Sequence, residues 1–138
     1  MSIVLGYDES PGAVRALEAA IEVAAAYGEG LVLVYAYAPP GGVGEEFTSH
    51  QAALKEIGSV ALAHAVESAD EAGVPTTVEL VSEKPAQALI AAAKKHNARV
   101  IVVGTWGESP LRGAMLGSTP HKLLHLSTVP ILCVPATP

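Results

Sequence analysis

The chain has a single cysteine, Cys133, in 138 residues. An intrachain disulfide is therefore impossible, and so is a C-x-x-C metal or redox motif. Aromatic residues make up only 4%. The core must then be built from Ala, Val, Leu and Ile rather than from rings. Cations are scarce as well: 8 Lys and Arg stand against 14 Asp and Glu, for a formal net charge of −6. An acidic surface argues against general binding to nucleic acid or to an anionic membrane. A local phosphate site stays open, because backbone N–H groups bind anions without formal charge. No apolar run approaches the ~20 residues of a transmembrane helix. The opening MSIVLGYDES has no basic stretch and reaches an acidic turn at once, so it does not read as a signal peptide. A soluble cytoplasmic protein with neither a nucleic-acid nor a membrane partner is expected.

Half of the residues are hydrophobic. An Ala- and Val-rich composition suits buried parallel strands under Ala-rich helices. The length suits one domain over residues 1–138. Ser2–Tyr7 is a continuous apolar run and reads as a buried strand. Ser10 can cap a helix with Pro11 at its first position. Val14, Leu17, Ile21 and Ala24 fall on one face of that helix. Gly28 and Gly30 close it. Leu31–Tyr37 is the second strand. Residues 38–50 are rich in Pro and Gly and read as a loop. A long helix follows, from about Ser49 to Ala72, with Leu54, Ile57 and Ala61 on its buried face and Gly73 as its stop.

Thr76–Val81 alternates polar and apolar residues, as a less buried edge strand would. Pro85 opens a third helix that runs to about His96, with Asn97 as its stop. Arg99–Gly104 is the most hydrophobic strand and reads as interior. A glycine-rich loop comes next, then a short helix from about Thr119 to Leu126, then the closing strand Pro130–Pro135. The order β-α-β-α-β-α-β-α-β gives one doubly wound α/β domain, a parallel sheet with helices on both faces.

Ligands bind such sheets beyond the carboxyl ends of the strands, where the strand order reverses. Two strand ends carry material that packing does not need: Tyr7-Asp8 after the first, and the glycine loop after Gly104. Glycines there permit φ > 0 or a close approach to the backbone. Gly117-Ser118-Thr119 leads straight into a helix, whose free N–H groups, dipole and hydroxyls suit an anion. The same Ser118 and Thr119 also read as simple N-caps, and Asp8 as a helix-start carboxylate. No G-x-x-x-x-G-K-[ST] occurs, and no G-x-G-x-x-G follows the first strand.

Gly104-x-x-Gly107, nine residues, then Gly117-Ser118 is similar to the G-x-x-G-x9-G-[ST] pattern of ATP-binding universal stress proteins. YDES after the first strand resembles that family's D-x-S, and the resemblance extends over nearly the whole chain. It implies a five-stranded sheet of order 3-2-1-4-5 with four helices and ATP, or another adenine nucleotide, at the reversal. Carried over by position, Asp8 contacts the adenine end and Gly6 lies near the base. Ala36 lines the adenine pocket, and Val103 and Gly104 approach the ribose or base. Gly107, Gly117, Ser118 and Thr119 hold the phosphates, with Ser109 and Arg112 within reach of the outer ones. Glu108 stands where the family often has a basic residue, which implies weaker ATP binding, fewer phosphates or a need for Mg2+. Trp106 reads either as a base-stacking ring or as packing.

The resemblance also implies a homodimer joined through the last strand, in a regulatory role in stress response. Two other readings stay open. One is a slow ATPase or phosphotransferase, although the residues name no catalytic base. The other is an interaction module with a vestigial site. His121 and His125 are four apart on a helix but lack the Glu of H-E-x-x-H, and they read as a solvated face with no metal. His50, His64 and His96 read as surface positions, and Cys133 as an inert buried thiol.

Overall fold

Ser10 and Pro11 start the first helix as the sequence predicts. In the computed structural model, which describes residues 1–8, 10–37, 45–105 and 117–136, Ser10 has an extended backbone and its hydroxyl accepts the Ala13 N–H at 3.2 Å. The helix α1 (Pro11–Tyr27) ends on Gly28 at φ 65°, where its amide reaches back to the last turn. Around α1 lie β1 (Ser2–Gly6), β2 (Gly30–Ala36), α2 (Glu45–Glu71), β3 (Thr76–Val81), α3 (Pro85–Lys95), β4 (Ala98–Gly104), α4 (Ser118–Leu126) and β5 (Ile131–Val134). Every pairing is parallel and the strand order is β3-β2-β1-β4-β5. The expected order 3-2-1-4-5 is therefore the observed one. β3 is an edge and β4 is interior, as their hydrophobic patterns predict. Asn97, at φ 51°, follows the last turn of α3 as expected.

Alternating strand residues build two cores. Ile3, Leu5, Leu31 and Leu33 pack beneath Ala16 and Ala20 of α1 and Ala61 and Ala65 of α2. Val4, Val32, Val34 and Ile101 face Ala88, Leu89 and Ala92 of α3 and Leu123 of α4. Alanines at these contacts let each helix lie close to the sheet, so small side chains suffice to exclude water.

That closeness corrects two expectations. Val14 was expected on the buried face of α1 but is 41% exposed, while Gly12, Ala13 and Ala16 are buried instead. Ile57 was expected to mark the buried face of α2 but is 57% exposed. Its neighbour Gly58 takes the contact: a Cβ there would lie 2.5 Å from Leu80 Cδ1 and 2.6 Å from Tyr35 Cδ1. A larger residue at Gly58 fits only if the Leu80 and Tyr35 side chains shift. The helix α2 also begins at Glu45, four residues before the expected Ser49.

His96 is not the free surface residue expected. Its Nε2 lies 3.2 Å from Glu79 Oε1, which also accepts from Lys95 Nζ at 2.7 Å. Partial burial pushes the Glu79 carboxyl up, but Lys95 and His96 outweigh this and hold it below the ordinary Glu value. A carboxylate depressed in the folded state stabilises the fold above its unfolded pKa, about 4.3. That contribution disappears as pH falls through the lower folded value. Glu79→Gln should therefore cost up to about 1 kcal/mol at pH 7, and its stability should converge on the wild type's as pH falls through the lowered Glu79 pKa. Urea denaturation over a pH series reads both limbs; parallel curves for the two proteins would refute the assignment.

Candidate functional site

The strand order reverses between β1 and β4, and a cleft of about 310 Å³ opens there at their carboxyl ends. β2 and β4 flank β1, so their ends stand about 10 Å apart across the cleft floor. Gly6, Ala36 and Val103 bring an apolar surface to it, with Val34 and Leu89 beside them. Gly117, Ser118 and Thr119 bring polar backbone from the side of α4, and Asp8 and Gly104 complete the rim. The predicted Gly107, Ser109 and Arg112 lie outside the described residues, as do Trp106 and Glu108.

Each side of the cleft has a local cause. Tyr7 N–H donates to Val34 O at 3.0 Å, which prolongs the β1–β2 ladder one residue past the strand. The chain then turns at Asp8, whose Oδ1 accepts the Ser10 N–H at 3.0 Å. One carboxylate oxygen thus orders the entry to α1, as the helix-start reading predicts. Ser10 is 2% exposed and holds the first turn of α1 through Ala13. The relay Asp8–Ser10–Ala13 aims the amino end of α1 at the cleft.

On the other side, Thr105 N–H donates to Val134 O at 3.0 Å, and Gly117 N–H donates to Thr105 O at 2.6 Å. These bonds pin the start of α4 to the end of β4. Gly117 is the N-cap and no side chain caps this helix. The capping alternative for Ser118 and Thr119 is therefore not what the structure shows. Their own amides belong to the first turn, where a helix supplies no acceptor, and Pro120 has no N–H to give. Two donors remain directed to the helix end, beside both hydroxyls. Pro85 also lines the cleft, so α1, α3 and α4 all begin at it. Three positive dipole ends converge where no described lining residue carries a cationic side chain.

None of the cleft glycines Gly6, Gly104 and Gly117 has the positive φ that the sequence allowed for. Gly117 has φ −60°, open to any residue. Gly104 is needed for packing: a Cβ there would lie 3.0 Å from both C and O of Gly12. Gly6 keeps the floor low, since a Cβ would meet Leu89 Cδ1 at 3.0 Å and Val103 Cγ1 at 3.4 Å. Ser10, Ala13, Val34, Pro85, Leu89 and Pro120 line the cleft without having been named as ligand contacts from the sequence. Val34 was within reach, being two residues before Ala36 and so on the same strand face. Leu89 was not, because its place depends on how α3 crosses the sheet.

Comparison with known proteins places the chain among relatives. A model of the universal stress protein family matches residues 1–135. The universal stress protein in the QAH/OAS sulfhydrylase 3′ region of Thermus aquaticus is 36% identical over 135 residues, covering 96% of this chain and 97% of that protein. Universal stress protein YxiE of Bacillus subtilis is 40% identical over 81 residues, covering 59% of this chain and 55% of that protein. The match thus spans about half of YxiE. A crystal structure of a universal stress protein in complex with cAMP is 28% identical with a TM-score of 0.75, covering 97% of this chain and 96% of that one.

Proposed function

This chain belongs to the universal stress protein family, and from that premise we propose that it binds an adenine nucleotide in the cleft between β1 and β4, as one domain over residues 1–138. The observation that carries this reading is the convergence of three helix starts on an apolar-floored cleft at the strand reversal. The relative holding cAMP supports the choice of base. The base lies on the apolar side, over Gly6, Ala36 and Val103, with Asp8 at its polar edge. The phosphates lie at the start of α4, on the amides and hydroxyls of Ser118 and Thr119. Gly104 borders the ribose; by the family motif alone, Gly107 joins the phosphate site and Ser109 and Arg112 are assigned to the outer phosphates. Each hydrogen bond to a charged phosphate contributes on the order of 1.5–3 kcal/mol. Glu108 stands where the family often has a basic residue, so ATP would enter with Mg2+ to offset its charge.

The chain would act in the cytoplasm as a regulator that reports its nucleotide state. No helix among the described residues is long and apolar enough to cross a membrane. We place a homodimer interface along β5. That strand ends the sheet with an open edge, and Leu132 on it is 37% exposed. An open apolar edge invites pairing with a second copy. Light scattering at micromolar concentration should give twice the 14.1 kDa chain mass; a mass of one chain would remove the dimer from this reading. Mass spectrometry of the small molecules that co-purify tests the site: an adenine nucleotide is expected. A protein that arrives empty and takes up none would favour a vestigial cleft.

A further inference from the structure

We propose that His121 and His125 form a binding site for a divalent transition-metal ion of the zinc, nickel or copper class, on the exposed face of α4. The two histidines stand four residues apart on α4, so they lie one above the other on one helix face. Both side chains are exposed. Their ring centroids are 4.8 Å apart with the planes at 72°. A metal–imidazole bond of about 2.0–2.1 Å puts each ring centre about 3.2 Å from the ion. Two ligands at angles between square and tetrahedral then hold their ring centres about 4.5–5.2 Å apart. The observed separation falls inside that window. The rings meet edge to face, and because both are exposed, rotation of the side chains is free to turn one nitrogen of each toward a shared ion. The sequence reading of a solvated face is right about exposure, and the proposal departs from its expectation of no metal.

The donor set selects the ion. Imidazole nitrogen suits zinc, nickel and copper, whereas magnesium and calcium require oxygen ligands. Copper binds tightest of these by the usual order of divalent affinities. Among the described residues no group of three or more His, Cys, Asp or Glu is placed to hold an ion. The ion therefore keeps open positions for water or an outside ligand. A two-ligand site gives a dissociation constant on the order of 1–100 µM, well short of a four-ligand structural zinc site. Neither histidine lines the cleft, so this site stands or falls independently of nucleotide binding.

Titration calorimetry of the untagged chain with nickel chloride tests the proposal. One ion per chain with micromolar affinity is expected. His121→Ala and His125→Ala should each weaken binding at least tenfold, and the double variant should lose it. His50→Ala, away from the pair, should bind like the wild type. Because both rings are exposed, circular dichroism should show the variants folded. Wild-type affinity in the double variant, or no saturable heat from the wild type up to millimolar nickel, would overturn the proposal.

Discussion

Ser118→Glu should weaken ATP binding more than a hundredfold while leaving the protein as stable as before, or slightly more so. The substitution puts a carboxylate at the first position of α4, where the structure offers two amides and two hydroxyls to an anion. The carboxylate competes for those donors and repels the phosphates. Losing two charge-assisted hydrogen bonds alone amounts to roughly 3 kcal/mol or more, which is more than a hundredfold. The helix itself gains, because its first turn has no acidic residue. A negative charge there contributes about 0.3–1 kcal/mol to helix stability. Ser118→Gln, of similar size but neutral, should keep most of the affinity. Calorimetry paired with thermal melts separates the two effects. A Ser118→Glu protein that binds ATP like the wild type would place the phosphates elsewhere.

Gly104→Val should destabilise the fold by about 3 kcal/mol, at the upper end for overpacking. The end of β4 meets the start of α1 so closely that even a Cβ lies 3.0 Å from the Gly12 carbonyl carbon and oxygen. These are backbone atoms and cannot rotate away as a side chain can. Relief requires moving α1 off the sheet, which also displaces the Asp8–Ser10 turn and one wall of the cleft. Nucleotide affinity should fall along with stability. Gly28 makes a useful contrast. A Cβ there meets nothing within 4 Å, but φ is +65°, so Gly28→Ala should cost only the strain of a left-handed residue, about 1–2 kcal/mol, with affinity unchanged. Urea denaturation ranks the two variants. A Gly104→Val protein of wild-type stability would show that the approach of β4 to α1 is looser than described.

The elements and their order were legible because their signals are local. Ser10-Pro11 and Pro85 mark helix starts, Gly28 and Asn97 mark ends, and the apolar runs mark strands. The strand order came through the spaced glycine motif and its resemblance, not from periodicity. Gly6, Ala36 and Val103 could be named only through the family resemblance, whereas Asp8, Gly104, Gly117, Ser118 and Thr119 also stood out as strand-end or helix-start residues that packing does not need. The failures share a cause. Val14 and Ile57 were chosen for the buried faces because they are large and apolar. The interhelix space was set instead by how near the helices lie to the sheet, and that favoured Gly12 and Gly58. Leu89 and the Glu79–His96 pair join segments distant in the chain, so no window of sequence contains them.

Amide chemical shifts in 15N-labelled protein titrated with Mg-ATP bear most directly on the claim that the start of α4 receives the phosphates. The Ser118 and Thr119 amides should move farthest and saturate together at one nucleotide per chain. Resonances at those two positions that stay still while others shift, or a spectrum unchanged at millimolar nucleotide, would contradict it.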